Sequence, residues 1–154
     1  MRSGRSISVQ GGRLTMKLAI AYWTNTGNTQ EMAEAIEQGA KEAGAETELC
    51  MIDELEDPET CDVIAMGCPA MGNEELDGIF RGYYSQLKPE LKGKKVALFG
   101  SWGWGNGAYM DAWKKDCQDA GMVLIAEPML CQKKPDEAGL NACRQFGRKL
   151  AEAK

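Results

Sequence analysis

Residues 17–29 read KLAIAYWTNTGNT and indicate how this chain folds. The first seven are almost all apolar, which is typical of a parallel strand buried on both faces. Six polar residues follow. Beyond them, the apolar side chains of residues 30–43 recur at helical spacing and predict a helix that ends at Gly44. A buried strand, a polar loop and an amphipathic helix form the first unit of an α/β sheet.

The same alternation continues to the end of the chain. Apolar runs predict four more strands, at residues 46–52, 61–67, 94–99 and 122–127. Helical spacing and helix-start signals predict further helices around residues 79–87, over 108–120 and over 135–153. Five strands alternating with helices predict an α/β fold, a doubly wound parallel sheet with right-handed crossovers.

The composition excludes several classes of protein. The 154 residues are 44% hydrophobic and 27% charged, which suits one globular domain. No run approaches the roughly 20 apolar residues of a membrane-spanning helix, so we expect a soluble protein that binds no membrane. The chain has no histidine, which excludes Ser-His-Asp triads, Cys-His nucleophiles and histidine-containing metal sites.

The six cysteines are spaced without any CxxC pair. Zinc ribbons, thioredoxin-type redox pairs and ferredoxin-type clusters need close cysteine pairs, and we therefore expect no metal site. Several cysteines lie inside apolar runs, where a thiol packs as a small apolar group, which argues against a disulfide framework. We expect reduced thiols and a cytoplasmic protein.

Residues 1–15 differ in composition from the rest. They contain Arg2, Arg5 and Arg13, no acidic residue and little apolar periodicity. They also lack the apolar middle region of a secretory signal. We expect a disordered N-terminal extension, followed by one domain over residues 16–154. That domain has 15 basic and 23 acidic side chains, a net charge of −8.

Ligands of an open parallel sheet bind beyond the carboxyl ends of its strands. The loop after the first strand consists of Thr24, Asn25, Thr26, Gly27, Asn28 and Thr29, directly before a helix. Hydroxyls, amides and the N–H groups of a helix N-terminus can hold a terminal phosphate without lysine or arginine. The loop has neither the P-loop pattern nor GxGxxG. The alternative is an ordinary polar helix cap.

The loop after the third strand, residues 67–74, reads GCPAMGNE. Its Gly72-Asn73 pair favours a tight turn whose peptide plane can flip, and the polarisable Met71 suits the face of a flat ring. The alternative is a plain turn beside a packed methionine. Cys68 has no basic neighbour in the sequence that would lower its pKa, so we interpret it as structural or as a minor contact.

The loop after the fourth strand, residues 101–107, reads SWGWGNG. Glycines let the backbone approach a ligand closely, and an exposed indole favours a flat partner. The alternative is that the two tryptophans belong to a protein interface.

Together these three loops resemble those of the flavodoxins. The similarity extends from residue 16 to about residue 151, and it is to the short-chain type of anaerobes, whose fifth strand is uninterrupted. The resemblance implies a flavodoxin-like five-stranded sheet of order 2-1-3-4-5. It also implies non-covalently bound FMN where the strand order reverses.

The resemblance further implies which residues contact FMN. The first loop matches the phosphate loop. Met71, Gly72, Asn73 and Glu74 match the segment over the inner ring face and the N5 edge, and Trp104 matches the tryptophan that stacks on the outer face. The remaining implied contacts are Cys68, Pro69, Ala70, Ser101, Trp102, Gly103, Gly105 and Gly107.

The function implied by the resemblance is that of a low-potential one-electron carrier rather than an enzyme. FMN would shuttle between semiquinone and hydroquinone, with the Gly72 carbonyl accepting a hydrogen bond from the protonated N5. Three acidic residues near the ring, Glu74, Glu75 and Asp77, and the absence of lysine and arginine from the three loops imply a strongly reducing second couple. Many relatives have aspartate where this chain has Asn73, so we expect a somewhat shifted potential.

The acidic domain is expected to meet redox partner proteins through their basic patches, as a monomer that binds no nucleic acid. A receiver domain shares this fold, but its paired acids, aspartate and lysine are missing here. An NAD(P)H:quinone reductase on the same fold is the enzymatic alternative, although such proteins are typically longer than the 139 residues after position 15. The third alternative is a flavodoxin-like module that has lost its flavin, and the three intact loops argue against it.

Overall fold

A parallel sheet forms the centre of the molecule. The computed structural model describes residues 8–10, 13–71, 75–103 and 105–153. In chain order, its strands are β1 (Ser8–Gln10), β2 (Arg13–Thr15), β3 (Lys17–Tyr22), β4 (Glu46–Met51), β5 (Val63–Gly67), β6 (Lys95–Trp102), β7 (Val123–Leu124) and β8 (Met129–Gln132).

The order of the strands in the main sheet is β4-β3-β5-β6-β7, and β8 pairs with the second half of β6. All of these pairs are parallel. The order predicted from the resemblance, 2-1-3-4-5, is therefore confirmed. The chain leaves β3 for β4 on one side and returns to β5 on the other, so the direction of the sheet reverses between β3 and β5. Ligands bind at this position in open α/β sheets.

Four helices cover the two faces of the sheet: α1 (Asn28–Glu42), α2 (Gly78–Leu87), α3 (Tyr109–Asp119) and α4 (Glu137–Ala151). Successive residues of β3 point to opposite faces, as the pleat of a strand requires. Leu18 and Ile20 pack with α1 and α4. Ala19 and Ala21 pack with α2 and α3. Both faces are fully buried, which explains why the sequence of β3 is apolar throughout.

Helices α1 and α4 approach each other closely through two glycines. A Cβ atom on Gly39 would collide with the backbone carbonyl of Arg144, and one on Gly147 would collide with that of Ile36. Each helix therefore presents a bare backbone to the other. This contact fixes α4 beside α1, and with it the segment after β8 that leads into α4.

The fifth strand is divided, unlike the uninterrupted strand that the resemblance implies. The prediction of one strand over residues 122–127 covers only β7, and β8 follows after a break that contains Pro128. Proline has no N–H group to donate to a neighbouring strand, which is why the sequence pattern ends there. Both pieces nevertheless lie beside β6, and Ile125 N still donates to Val96 O at 3.1 Å.

Other boundaries differ by a few residues. The first helix begins at Asn28, two residues before the predicted start, and the fourth predicted strand continues as β6 to Trp102. In the extension for which we predict disorder, β1 and β2 form a separate antiparallel pair. The domain boundary at residues 15 and 16 stays a prediction. None of the helices in the described part of the chain has the length and apolar character needed to span a bilayer.

Candidate functional site

The loop after β3 turns directly into the N-terminus of α1. Gly27 has φ 94°, in the left-handed region that favours glycine, and its N–H donates to Thr24 Oγ1 at 3.0 Å. No side chain of the described residues caps α1 at this position. The first N–H groups of the helix thus remain available, together with the helix dipole, to an anion in front of them.

Two buried hydroxyls join this loop to the end of β6. Thr29, in the first turn of α1, is fully buried, and its Oγ1 lies 3.1 Å from Ser101 Oγ. Ser101 is also buried, and its carbonyl accepts a hydrogen bond from Ala70 N at 2.9 Å. Residues from all three predicted loops are therefore in direct contact.

Asn25 connects the first loop to the second from the exposed side. Its Nδ2 lies 3.2 Å from Met71 Sδ and 3.3 Å from Asp77 Oδ2. Asp77 is buried and also caps α2, because its Oδ1 accepts from Ile79 N at 2.8 Å and from Phe80 N at 3.3 Å. We predicted Asp77 as an acid near the ring and not as a contact. An aspartate directly before a helix start is the signal that would have indicated its capping role.

Residues on either side of the second loop pair with each other. Ala70 and Leu76 form an antiparallel bridge, and Met71 N donates to Glu75 O at 2.8 Å. The predicted contacts Gly72, Asn73 and Glu74 lie outside the described residues. Pro69, Ala70 and Met71 are partly exposed at the same edge of the sheet.

The third loop contains three successive left-handed residues. Gly105, Asn106 and Gly107 have φ of 88°, 58° and 75°. A side chain at Gly107 would press against Leu130 Cδ1 and approach the ring of Trp102. Trp102 is half-buried and Gly103 is exposed, whereas Trp104 lies outside the described part of the chain.

The end of β8 supports this third loop, which the sequence did not indicate. Lys133 N donates to Trp102 O at 2.7 Å, and Gln132 Nε2 lies 3.4 Å from Gly103 O. The next residue, Lys134, places its Nζ 2.6 Å from a carboxylate oxygen of Glu31 in the first turn of α1. Lys134 thereby offsets a negative charge beside the anion-binding end of that helix. A pair separated by 103 residues leaves no pattern in a single sequence.

Cys68 is a predicted contact that the structure places in the core. Its side chain is fully buried, and burial raises the pKa of its thiol well above the ordinary value. Its N–H donates to Phe99 O, and its carbonyl accepts from Tyr109 Oη at 2.8 Å. These bonds anchor the start of the second loop to β6 and α3, which agrees with the structural interpretation of this cysteine.

The electrostatics of the edge are set by acidic residues. The Tyr22 hydroxyl, at the end of β3, has its pKa raised by burial first and then by the carboxylates of Glu34 and Glu54. Glu75 and Asp77 lie between the second loop and α2. The backbone N–H groups and hydroxyls around Gly27 are uncharged, and none of the three loops contains a lysine or arginine. A phosphate bound there would therefore be held by neutral donors alone.

The arrangement fits FMN. An uncapped helix N-terminus and neutral hydroxyls suit a phosphomonoester. Next to them, a polarisable methionine and a glycine-rich, tryptophan-containing loop offer contacts for a flat ring. Asn25 and the Thr29–Ser101 pair keep the phosphate end and the ring end of this site together.

Comparison with known proteins agrees with this geometry. The pattern of the family described as "Flavodoxin" matches residues 20–147. The chain is 44% identical over 137 residues to the flavodoxin of Megasphaera elsdenii, covering 87% of this chain and 98% of that protein.

The chain belongs to the flavodoxin family.

Two further similarities support the assignment. A flavodoxin of Clostridium beijerinckii is 37% identical over 87% of this chain and 99% of its own length. The solution structure of the two-electron reduced M. elsdenii flavodoxin superposes with a TM-score of 0.80, over 88% of this chain and 99% of that one. Oxidised flavodoxin 1 of Bacillus cereus superposes with a TM-score of 0.78 at 28% sequence identity, over 90% of this chain and 99% of that one.

Membership of the family identifies the function. Like other flavodoxins, the chain is an FMN-binding electron carrier and not an enzyme. The enzymatic alternative, an NAD(P)H:quinone reductase, is not favoured by these relatives. The cofactor predicted from the three loops is therefore confirmed, whereas the individual contacts remain assignments from sequence and geometry.

Proposed function

We propose that the edge formed by the three loops holds FMN and exchanges single electrons with partner proteins that carry basic patches. The observation that carries this proposal is the uncapped N-terminus of α1, which adjoins the buried Thr29–Ser101 pair and the Asn25–Met71 contact. When bound, FMN supplies the one-electron chemistry. The residues of the chain bind it, orient it and set the charge around it.

The first loop is proposed to bind the phosphate. The N–H groups at the start of α1 and the Thr24, Thr26 and Thr29 hydroxyls provide neutral donors. Thr29 is held by Ser101, so its position does not depend on the ligand. Preorganised donors lose little entropy on binding, which favours a tight complex.

The second and third loops are proposed to hold the ring. Met71 is fixed by its contacts with Asn25 and with the Glu75 carbonyl. Trp104, on the other side of the ring, stays a prediction from the sequence. Replacing it with alanine (W104A) should weaken FMN binding and raise the potential at which the second electron is added. A redox titration in which neither quantity changes would remove Trp104 from the site.

The partner surface is proposed to lie on α2 beside this edge. Ile79 and Tyr83 are 56% and 39% exposed, although both are large apolar residues, and they lie one helical turn apart. The ring centroid of Tyr83 is 6.4 Å from that of Trp23, which follows β3. Exposed acids, Asp53 and Glu54, lie next to α2 in the short 3₁₀ turn Ile52–Glu54. An apolar centre with an acidic rim fits a partner with the opposite charge.

Electron exchange with cytochrome c, used as a basic redox probe, tests this surface. The second-order rate constant should fall steeply as salt rises. D53N should lower it at low salt more than E90Q does, because Glu90 carries the same charge at the opposite edge of the sheet. Equal effects of the two substitutions would contradict the placement.

We further propose that the chain acts as a monomer in the cytoplasm, which sedimentation and cell fractionation can test.

A further inference from the structure

Two cysteines meet where β8 packs against α4. Cys131, on β8, is 8% exposed, and Cys143, on α4, is fully buried. Both belong to the apolar layer between the sheet and α1 and α4. Gly139 lies one helical turn before Cys143 and therefore on the same face of α4. A Cβ atom on Gly139 would come 3.1 Å from Cys131 Sγ, so this face of the helix lies directly on that sulfur.

Each thiol is the largest single influence on the pKa of the other. Cys143 lowers the pKa of the Cys131 thiol, against the opposing effects of burial and of Asp136. Cys131 and burial raise the pKa of Cys143, and Arg144 opposes this only in part. The shared interaction thus makes Cys131 the more acidic thiol of the pair.

In the other four cysteines, burial and not another thiol is the largest cause of the pKa shift. Burial raises the thiol pKa of Cys50, Cys61, Cys68 and Cys117. All six cysteines are free in the structure. Since the thiolate is the form that reacts with oxidants, these four are expected to be inert. Cys131 is the more exposed thiol of the adjacent pair, and we expect it to be oxidised first.

We propose that Cys131 and Cys143 are an oxidation site, at which hydrogen peroxide converts the two thiols into one disulfide that joins β8 to α4. The Cys131 thiolate attacks one peroxide oxygen, which gives a sulfenic acid and a hydroxide that takes up a proton as water. The Cys143 sulfur then attacks the sulfenic sulfur and releases a second water. The two thiols lose two electrons and two protons, and one peroxide becomes two waters.

The link would close a short loop that adjoins the flavodoxin site. The bridged segment contains Lys134, which pairs with Glu31 on α1. Cys131 also lies opposite Ser101 in the sheet, and Ser101 contacts Thr29. Oxidation would therefore tie together the strand and the helix that support the phosphate loop. The site stands on the two thiols alone and does not depend on how FMN is held.

The test is to treat the FMN-loaded protein with hydrogen peroxide, alkylate the remaining thiols after denaturation and measure masses. We expect four alkylated cysteines in place of six, a mass about 2 Da lower before alkylation, and full recovery with dithiothreitol. Trypsin leaves Cys131 on the peptide 116–133 and Cys143 on the peptide 134–144, and these two should be found joined.

Three variants make the result specific. C117S removes the other cysteine of the peptide 116–133 and should still form the link. C131S should not form it. C143S should instead leave a sulfenic acid on Cys131 that dimedone traps, a readout that does not require the disulfide. Six alkylated thiols after peroxide, a link to any other cysteine, or no dimedone adduct in C143S would overturn the proposal.

Discussion

The Thr29 and Ser101 hydroxyls lie 3.1 Å apart, although 72 residues separate them in the chain. Both side chains are buried, and one stands in the first turn of α1 while the other stands near the end of β6. This contact joins the loop proposed to bind the phosphate to the loop that carries the tryptophans. The folded sheet therefore fixes the position of a hydroxyl that we propose as a phosphate ligand.

Replacing Thr29 with valine, which has the same shape without the hydroxyl, should weaken FMN binding selectively. A lost hydrogen bond to a charged group is worth about 1.5–3 kcal/mol, so the FMN dissociation constant should rise by roughly 10- to 150-fold. Riboflavin, which lacks the phosphate, should bind T29V about as well as it binds the unchanged apoprotein. Fluorescence titration of each apoprotein with the two ligands measures both constants.

The matched control is T47V, because Thr47 lies on β4 and donates to Glu37 at 2.9 Å, away from the three loops. It should leave the FMN affinity unchanged. If T29V weakened riboflavin and FMN binding equally, the hydroxyl would support the fold of the site and not the phosphate.

Gly27 should tolerate alanine poorly, because its φ of 94° is strained for a residue with a Cβ atom. The left-handed conformation costs a non-glycine residue about 1–2 kcal/mol, and G27A should lose roughly that much free energy of unfolding. G82A provides the contrast. Gly82 lies exposed within α2 with nothing near its missing Cβ, so alanine there should stabilise by about 0.5–1 kcal/mol.

Urea unfolding measures both variants. A stabilised G27A would show that the turn before α1 takes another conformation in solution. A neutral G82A would show only that its helix gains nothing from the substitution, and it would leave the expectation for Gly27 standing.

Stability should fall in mildly alkaline solution because of the buried thiols. Burial raises the pKa of Cys117 to about 11 and that of Cys50 to about 12, from an ordinary value of 9.0. Above pH 9 the unfolded chain releases these protons and the folded chain retains them, so each rise in pH favours unfolding. The stabilisation that these protonated thiols give the folded state is fully present below pH 9 and is lost progressively between about pH 9 and 12.

The measurement is the midpoint of urea unfolding. We expect the midpoint at pH 10.5 to be lower than that at pH 8 by at least about 0.5 M. The decrease should be smaller in C117S, which removes one of the raised thiols, even if that variant is less stable at pH 8. An equal decrease in C117S and in the unchanged protein would assign the alkaline instability to other groups.

Much of the fold could be predicted because its central strands are buried on both faces. β3 and β5 are continuous apolar runs, and their pattern needs no knowledge of the tertiary structure. The break in the fifth strand could not be anticipated in the same way. Pro128 ends the pattern locally, but only pairing with β6 shows that β8 resumes at the same edge.

In the candidate site, too, features that are contiguous in sequence could be predicted, and contacts between distant residues could not. The loop proposed to bind the phosphate is contiguous in sequence, so its polar groups could be recognised from the sequence alone. The contacts that position it, Asn25 with Asp77 and Lys134 with Glu31, join residues 52 and 103 positions apart. Such pairs depend on the crossovers of the sheet, and a single sequence carries no local signal for them.

Titration of the apoprotein with FMN and with riboflavin tests the central claim most directly, namely that neutral donors at the start of α1 hold the flavin by its phosphate. The account predicts one FMN per chain with a dissociation constant below roughly 1 μM, and riboflavin binding weaker by at least about 100-fold. Failure to bind FMN at micromolar concentration, or equal affinity for the two flavins, would contradict it.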